Sequence, residues 1–194
     1  MKKKETTKHN HDGKTWQAQR EDRIRIFHDT MRIVNSGGYV TETGRKVDLP
    51  VPAWMQEGTT VYSEPFSVND VQKVAEGTRT YVVEGDCLET ARRLNERGLN
   101  PAVLNMANRQ HPGGGVLGGA RAQEESIFRR SNLFRSLYQY FPYASSFGVE
   151  QKAIAYPLDR NFGGIYTPDA VVFRDTERTG YRLLEEPYRT SVSP

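Results

Sequence analysis

The sequence predicts an α/β fold, a parallel or mixed sheet flanked by helices, and three features predict it. Tyr81-Val82-Val83 is a short apolar run of the kind buried strands show, closed by Gly85-Asp86. Leu88 to Arg97 then carries Leu88, Ala91 and Leu94 at helical spacing and stops at Gly98, before a second apolar run from Ala102 to Ala107. A glycine-rich loop follows, and beyond it Gln123 to Tyr140 reads as another helix, with Ile127, Leu133, Phe134, Leu137 and Tyr138 on its apolar side. Strand, helix, strand, loop, helix is the order of a βαβ unit, whose parallel strands require a crossover.

The elements before this body are shorter. Residues 1–18 are charged and polar, with His9-Asn10-His11-Asp12-Gly13 in succession, and are expected to form a disordered basic tail. Ile24, Phe27, Met31 and Val34 recur at steps of three and four, the stripe of an amphipathic helix, which Gly37 and Gly38 should end. Tyr39-Val40, Val47-Asp48-Leu49 and Thr59 to Tyr62 are extended pieces separated by Gly44, Pro50, Pro52 and Gly58. Residues 19–79 therefore read as an N-terminal accessory segment, and 80–194 as the main body. In that body Ala153 to Tyr156, Gly164 to Tyr166 and Ala170 to Phe173 are expected as later strands. No internal repeat is visible.

Composition excludes several classes. The 194 residues are 36% hydrophobic, with 17 Gly and 10 Pro, enough for one loop-rich domain with a core and too few for two comfortable ones. No apolar run approaches the roughly 18 residues a membrane helix needs. Met1 to His11 lacks an apolar core, so no secretory signal is expected. Cys87 is the only cysteine, which excludes an intrachain disulfide and suits the cytoplasm. The net charge of +3 suggests nucleic acid until it is located: residues 1–25 hold eight Lys or Arg against four acids, a surplus larger than the whole chain's. The basicity belongs to the tail, and no specific nucleic acid is expected as a partner.

The chemistry concentrates between Asn105 and Arg130. Gly113, Gly114 and Gly115 follow a strand, and Gly118 and Gly119 come soon after. Glycine lets backbone N–H groups approach a ligand closely, and a loop between a strand end and a helix start is where α/β proteins hold phosphates and sugars. A tight turn would account for the glycines equally well. Gln123-Glu124-Glu125 then opens the next helix. Acids in a first turn ordinarily complement the helix dipole. A carboxylate beside a sugar-binding loop is also what glycosidic cleavage needs, to protonate a leaving oxygen and then activate water.

Three glycines, a spacer of seven residues, then Gln-Glu-Glu resembles the signature of poly(ADP-ribose) glycohydrolases of the compact microbial type. Arg23 to Val47 resembles their helical entry segment, and Tyr156 to Arg174, with Gly164-Ile165-Tyr166-Thr167-Pro168, resembles the strand after their catalytic helix. The resemblance covers roughly residues 20–190 and implies a macrodomain-like fold, hydrolysis without metal or cofactor, and ADP-ribose polymer or ADP-ribosylated protein as partner. It matches Glu125 to the catalytic acid/base and Glu124 to the residue holding sugar hydroxyls near the scissile bond. Gly113, Gly114 and Gly115 match the triplet against the terminal ribose and its phosphate, and Gln123 would orient the acidic pair. Met106-Ala107-Asn108 and Glu84-Gly85-Asp86 resemble macrodomain segments generally, implying ribose contact by Asn108 and adenine contact by Asp86; as residue types, Asp after Gly is also a common helix cap.

Other candidates read more plainly. His111 beside Pro112 is a loop residue, with no second His or Cys at zinc spacing. Cys87 reads as a small buried hydrophobe, and Tyr138, Tyr140, Phe141 and Tyr143 as core closure. A domain of the resembled kind also carries a second glycine-rich loop after a later strand, whereas only Gly180 follows Phe173. The sheet is therefore expected to be incomplete, with Val171, Val172 and Phe173 near an open edge covered by self-association or a partner chain. Three readings stand: a glycohydrolase, a macrodomain module that binds ADP-ribose without efficient turnover, or an inactive fragment. Release of free ADP-ribose from polymer separates them.

Overall fold

A computed structural model describes residues 15–50, 53–65, 77 and 79–193. The chain opens with α1 (Trp16–Ser36), which begins inside the span expected as tail; residues 1–14 lie outside the described residues. Thr15 caps it by accepting from the Ala18 N–H at 3.2 Å. Gly37, at φ 80°, ends it in the left-handed conformation and donates back to the Ile33 and Val34 carbonyls. The buried stripe is Arg23, Phe27, Thr30, Ile33 and Val34, so of the expected residues Phe27 and Val34 are buried while Ile24 and Met31 are half-buried, and the face is shifted to include an arginine.

Two short strands, β1 (Gly38–Val40) and β2 (Lys46–Asp48), form an antiparallel hairpin. Helix α2 (Ala53–Glu57) leads to β3 (Thr60–Tyr62), α3 (Cys87–Glu96), β4 (Ala102–Leu104), α4 (Gln123–Arg130), α5 (Phe134–Tyr138), β5 (Gly164–Arg174) and β6 (Leu183–Ser193). The main sheet has the order β3-β5-β6-β4. Its outer pairs differ: β5 runs antiparallel to β3 and β6, while β4 runs parallel to β6. Helices pack on this mixed sheet, α4 against β5 and α3 against β4 and β6.

Four expectations need correction. The expected helix from Gln123 to Tyr140 is two helices, because Ser131 turns extended (φ −139°, ψ 174°) and bridges Val172. Asn132 then docks on the same strand twice, its N–H donating to the Val171 carbonyl at 3.1 Å and its Oδ1 accepting from the Val171 N–H at 2.8 Å. Gly164 to Tyr166 and Ala170 to Phe173 belong to one strand: the intervening Thr167 to Asp169 is absorbed as an irregularity, with Asp169 at φ 46° and a register shift. Tyr81 to Val83 and Ala153 to Tyr156 are not strands. An extended segment becomes a strand only when a neighbour pairs its backbone, and Val82 stands 96% exposed.

The largest correction concerns the sheet's end. Leu183 to Ser193 forms β6, which lies between β5 and β4 with Val171 opposite Arg189 and Val103 opposite Val192. Val171, Val172 and Phe173 are thus interior, at 7%, 1% and 0% exposure, rather than at an edge. The open edges among the described residues are β3 and β4.

The core gathers α1, α4, α5 and β5 around Phe27, which meets Phe128 and Phe134 at ring distances of 6.1 and 6.3 Å. The junction at Asn132 locks α4 to β5 at this core. Replacing Asn132 with Ala strands the buried Val171 N–H, which should cost about 1–3 kcal/mol. Urea unfolding measures this, and a loss below ~0.5 kcal/mol would show that the N–H finds another acceptor.

Candidate active site

Strand β4 delivers Asn105 into the interior and then opens into the glycine loop. Asn105 is 4% exposed, and its N–H extends the ladder to the Ser193 carbonyl. Helix α4 re-enters at Gln123, whose side chain bridges the end of that strand. Its Nε2 donates to the Leu104 carbonyl and its Oε1 accepts from the Met106 N–H, both at 2.7 Å. One amide side chain thereby stands in for a neighbouring peptide and fixes the start of α4 against the end of β4.

That anchoring buries both glutamates in the first turn of α4, at 3% and 7% exposure. Their surroundings differ sharply. Glu124 Oε1 accepts from the Gly113 N–H at 3.0 Å and from Asn105 Nδ2 at 3.5 Å, and its Oε2 accepts from the Asn108 N–H at 2.8 Å. Glu125 Oε1 accepts from the Gly115 N–H at 2.9 Å, while its Oε2 is buried with no hydrogen-bond partner. Burial pushes the Glu124 carboxyl above its ordinary value, and the neighbouring Glu125 charge adds to that. The bonds from Asn108, Gly113 and Asn105 pull it back without cancelling the rise.

The glycine triplet has an internal reason that sequence reasoning did not supply. A Cβ on Gly113 would stand 2.6 Å from the Phe128 ring, and one on Gly114 would stand 2.6 Å from Glu125 Oε1 and 3.3 Å from Glu124 Oε2. A Cβ on Gly115 would meet the Ala120 Cβ at 2.7 Å. Gly113 and Gly114 also hold φ of 77° and 52°, where side chains are disfavoured. The loop is glycine because it folds over its own carboxylates.

Gln123, Glu124, Glu125, Asn108 and the triplet therefore form one constellation. Asn108 Oδ1 shapes the loop by accepting from Gln110 N and His111 N at 2.8 and 3.1 Å. Asp86 is bonded elsewhere: its Oδ1 caps α3 through Leu88 N and Glu89 N, and both oxygens accept from Arg130 Nη1 at 2.8 and 2.9 Å. Cys87 Sγ accepts from Gln123 Nε2 at 3.6 Å, and burial pushes its thiol up, which suits a packing role over a nucleophilic one. Tyr138, read as core closure, and Tyr156, read as the end of a strand, have hydroxyls pushed upward by burial and further by the Glu124 charge, so both lie within reach of that carboxyl. Asn105 was missed as a contact to Glu124; its one signal was its place where an apolar strand runs into the loop.

The raised Glu124 carboxyl has a thermodynamic consequence. A carboxyl whose folded pKa exceeds the unfolded value stabilises the fold below the unfolded value, near 4.5, and loses that contribution as pH rises through the folded one. Glu124→Gln cannot titrate. Between pH 4.5 and neutrality wild-type stability should fall relative to the variant, by at most about 1.4 kcal/mol per pH unit for one proton. Urea midpoints across that range test this, and parallel curves would show that burial does not perturb Glu124.

Known proteins provide the context for this geometry. The microbial-type PARG catalytic domain matches residues 28–175. No curated protein matches the chain. Among solved structures, poly(ADP-ribose) glycohydrolase from Thermomonospora curvata superposes with a TM-score of 0.69 at 35% identity, covering 89% of this chain and 63% of that one. The same enzyme bound to the inhibitor ADP-HPD gives 0.67 at 38% identity, covering 89% and 62%. The Deinococcus radiodurans enzyme in complex with ADP-ribose gives 0.51 at 30%, covering 76% and 58%. The chain thus spans less than two thirds of the length of these structures. The family match over residues 28–175, together with likenesses to solved structures at 35–38% identity, shows that the chain belongs to the microbial-type PARG catalytic-domain family.

Proposed function

We propose that the chain performs the hydrolytic chemistry of poly(ADP-ribose) glycohydrolase, cleaving ribose–ribose O-glycosidic bonds of ADP-ribose polymers with Glu125 as acid and then base. The carrying observation is the divided carboxylate of Glu125: one oxygen held by the Gly115 N–H, the other buried and unpartnered. In the protonated form the unpartnered oxygen gives its proton to the leaving ribose oxygen as the C–O bond breaks, so that ribose departs as an alcohol and the anomeric carbon it leaves becomes oxocarbenium-like. The resulting carboxylate then takes a proton from the attacking water, restoring the acid. Glu124 has donors on both oxygens, which suits it to fix the loop and accept from sugar hydroxyls rather than to move protons. No metal or cofactor enters these steps, and among the described residues no three His, Cys, Asp or Glu side chains gather as a metal site.

The ligand assignments follow from the same constellation. The exposed face of Gly115 and the loop at Asn108 would meet the terminal ribose and its phosphate, with Gly113, Gly114 and Gln123 acting behind them. The likeness to structures binding ADP-ribose and ADP-HPD supports that ligand class. An adenine contact at Asp86 would have to be added to the cap and ion pair it already makes. ADP-ribosylated protein is the corresponding macromolecular partner. No helix of the described residues is long and apolar enough to cross a membrane, and a single free cysteine suits the reducing cytoplasm, where we place the protein.

A module that binds ADP-ribose without efficient turnover is the second reading, since the loop shaped by Asn108 and held at Gly115 would receive ribose and phosphate whether or not Glu125 moves a proton. Glu125→Gln separates the two. On the leading reading turnover of polymer falls by ~10²-fold or more while ADP-ribose affinity, by calorimetry, stays within about twofold. Wild-type protein that binds ADP-ribose but releases none from polymer establishes the second.

The open outer side of β4, with Leu104 and Met106 at 62% and 74% exposure beside a cleft of about 440 Å³, supports a further proposal: another chain completes the sheet there. Light scattering should then exceed the 22.1 kDa monomer mass, and Leu104→Lys should reduce it. A wild-type monomer at all concentrations would remove self-association.

A further inference from the structure

The far end of the glycine loop is held by three arginines. Successive carbonyls of Gly118, Gly119 and Ala120 accept from Arg20 Nε at 2.7 Å, Arg23 Nε at 2.8 Å and Arg129 Nη2 at 2.9 Å. Arg20 and Arg23 come from α1 and Arg129 from α4, so the clamp joins the entry helix to the helix that carries the glutamates. Arg23 and Arg129 are 4% and 0% exposed. Arg23 is neutralised by Glu177 at 2.9 Å, which also receives Arg121 at 3.0 Å. Arg129 donates from Nε to the Tyr181 hydroxyl at 3.0 Å and lies 5.7 Å from that ring's centroid.

Holding a turn does not require two buried guanidiniums, since burying such charge is costly and a neutral donor would serve. The path from the clamp explains where the rigidity goes. Ala120 N donates to the Gly115 carbonyl at 3.1 Å, and a Cβ at Gly115 would strike Ala120 at 2.7 Å, so the two residues move together. Gly115 in turn donates to Glu125 Oε1. Gly119 adds stiffness, because at φ 72° it packs so closely that a Cβ would stand 2.5 Å from the Arg20 carbonyl.

We propose that Arg23 and Arg129 are positioning residues for Glu125, fixing its carboxylate through Ala120 and Gly115 so that its unpartnered oxygen faces the scissile bond. Neither touches substrate. The inference rests on the hydrolytic reading only for its catalytic readout; the mechanical link stands on the hydrogen bonds alone.

The test uses Arg23→Met and Arg129→Met in the full chain, each alone and combined with Glu125→Gln. Amide hydrogen exchange by NMR should speed at least roughly tenfold at Gly115, while Phe27 and Ile33 in the core keep wild-type rates. Uniformly faster exchange would indicate global destabilisation and overturn the proposal, as would unchanged exchange at Gly115. Polymer turnover should fall roughly tenfold or more in the single variants, as misplacement of a catalytic group does. Neither arginine change should lower the residual rate in the Glu125→Gln background, because a positioning effect vanishes with the group positioned. Additive losses in both backgrounds would sink the proposal. If Glu125→Gln equals wild type, the hydrolytic reading fails and the exchange data still decide the mechanical link. Should Arg129→Met not fold, Arg129→Lys keeps the charge but not the paired donors, and its exchange at Gly115 decides in its place.

Discussion

Two backbone N–H groups donating to two carboxylates organise this molecule. Gly113 bonds Glu124 and Gly115 bonds Glu125, at 3.0 and 2.9 Å, and the acids belong to the helix that the loop leads into. A helix start leaves N–H groups unsatisfied and favours acids nearby. Here the acids turn away from their own helix and satisfy the preceding loop instead. The cost of burying them is offset by these bonds, and the bonds are possible only because nothing larger than hydrogen fits at residues 113–115. Loop sequence, helix position and acid burial are therefore one constraint seen from three sides.

The surrounding core is polar to match. Arg23, Arg129, Arg130 and Arg174 are all nearly inaccessible; Arg23, Arg130 and Arg174 pair with carboxylates, while among the described residues Arg129 donates to the Ala120 carbonyl and the Tyr181 hydroxyl and leaves its Nη1 unpartnered. Arg174 donates to Thr30 Oγ1 at 2.9 Å and to the Tyr181 carbonyl at 3.0 Å, and forms an ion pair with Asp29. Burial acts to raise the Asp29 carboxyl, but the bonds from Arg32 and Arg174 outweigh it and hold it low. Thr30 donates its own hydroxyl in a hydrogen bond to the Arg129 carbonyl at 2.7 Å, so α1, α4 and β5 share one network. Such networks add little net stability but penalise every alternative docking, because a displaced buried charge is left unpaired.

The sequence showed the chemistry more clearly than the architecture. The triplet and Gln123-Glu124-Glu125 stood out because their residue types are unusual together, and the structure brings them together. Strand β6 was invisible for the opposite reason. Its inner end buries Thr190 and Ser191 beside Val192, and its outer half reads Glu185-Glu186-Pro187, so no apolar alternation announces it. The break at Ser131 was equally silent, since helical periodicity continues through it and only contact with Val172 diverts the chain. Tyr81 to Val83 misled in the other direction: β-branched and aromatic residues promise a strand, but a strand is a property of two segments.

Two adjacent glutamates on one helix end up with different capacities, and the difference is geometric rather than chemical. Glu124 meets donors on both oxygens, whereas Glu125 is reached by one donor, from a residue itself tethered to Ala120. Which oxygen is left over is decided where the loop is fixed, and part of that fixation comes from outside the family's matched span. Arg20 and Arg23 precede residue 28, and Glu177 and Tyr181 follow residue 175. The motif thus records the groups that hold charge, while apart from Arg129 on α4 the residues proposed to aim them lie on flanking elements, where arginine, glutamate and tyrosine look like ordinary surface sequence. Helix α1, read as part of an accessory segment, reaches the far end of the loop through Arg20 and Arg23.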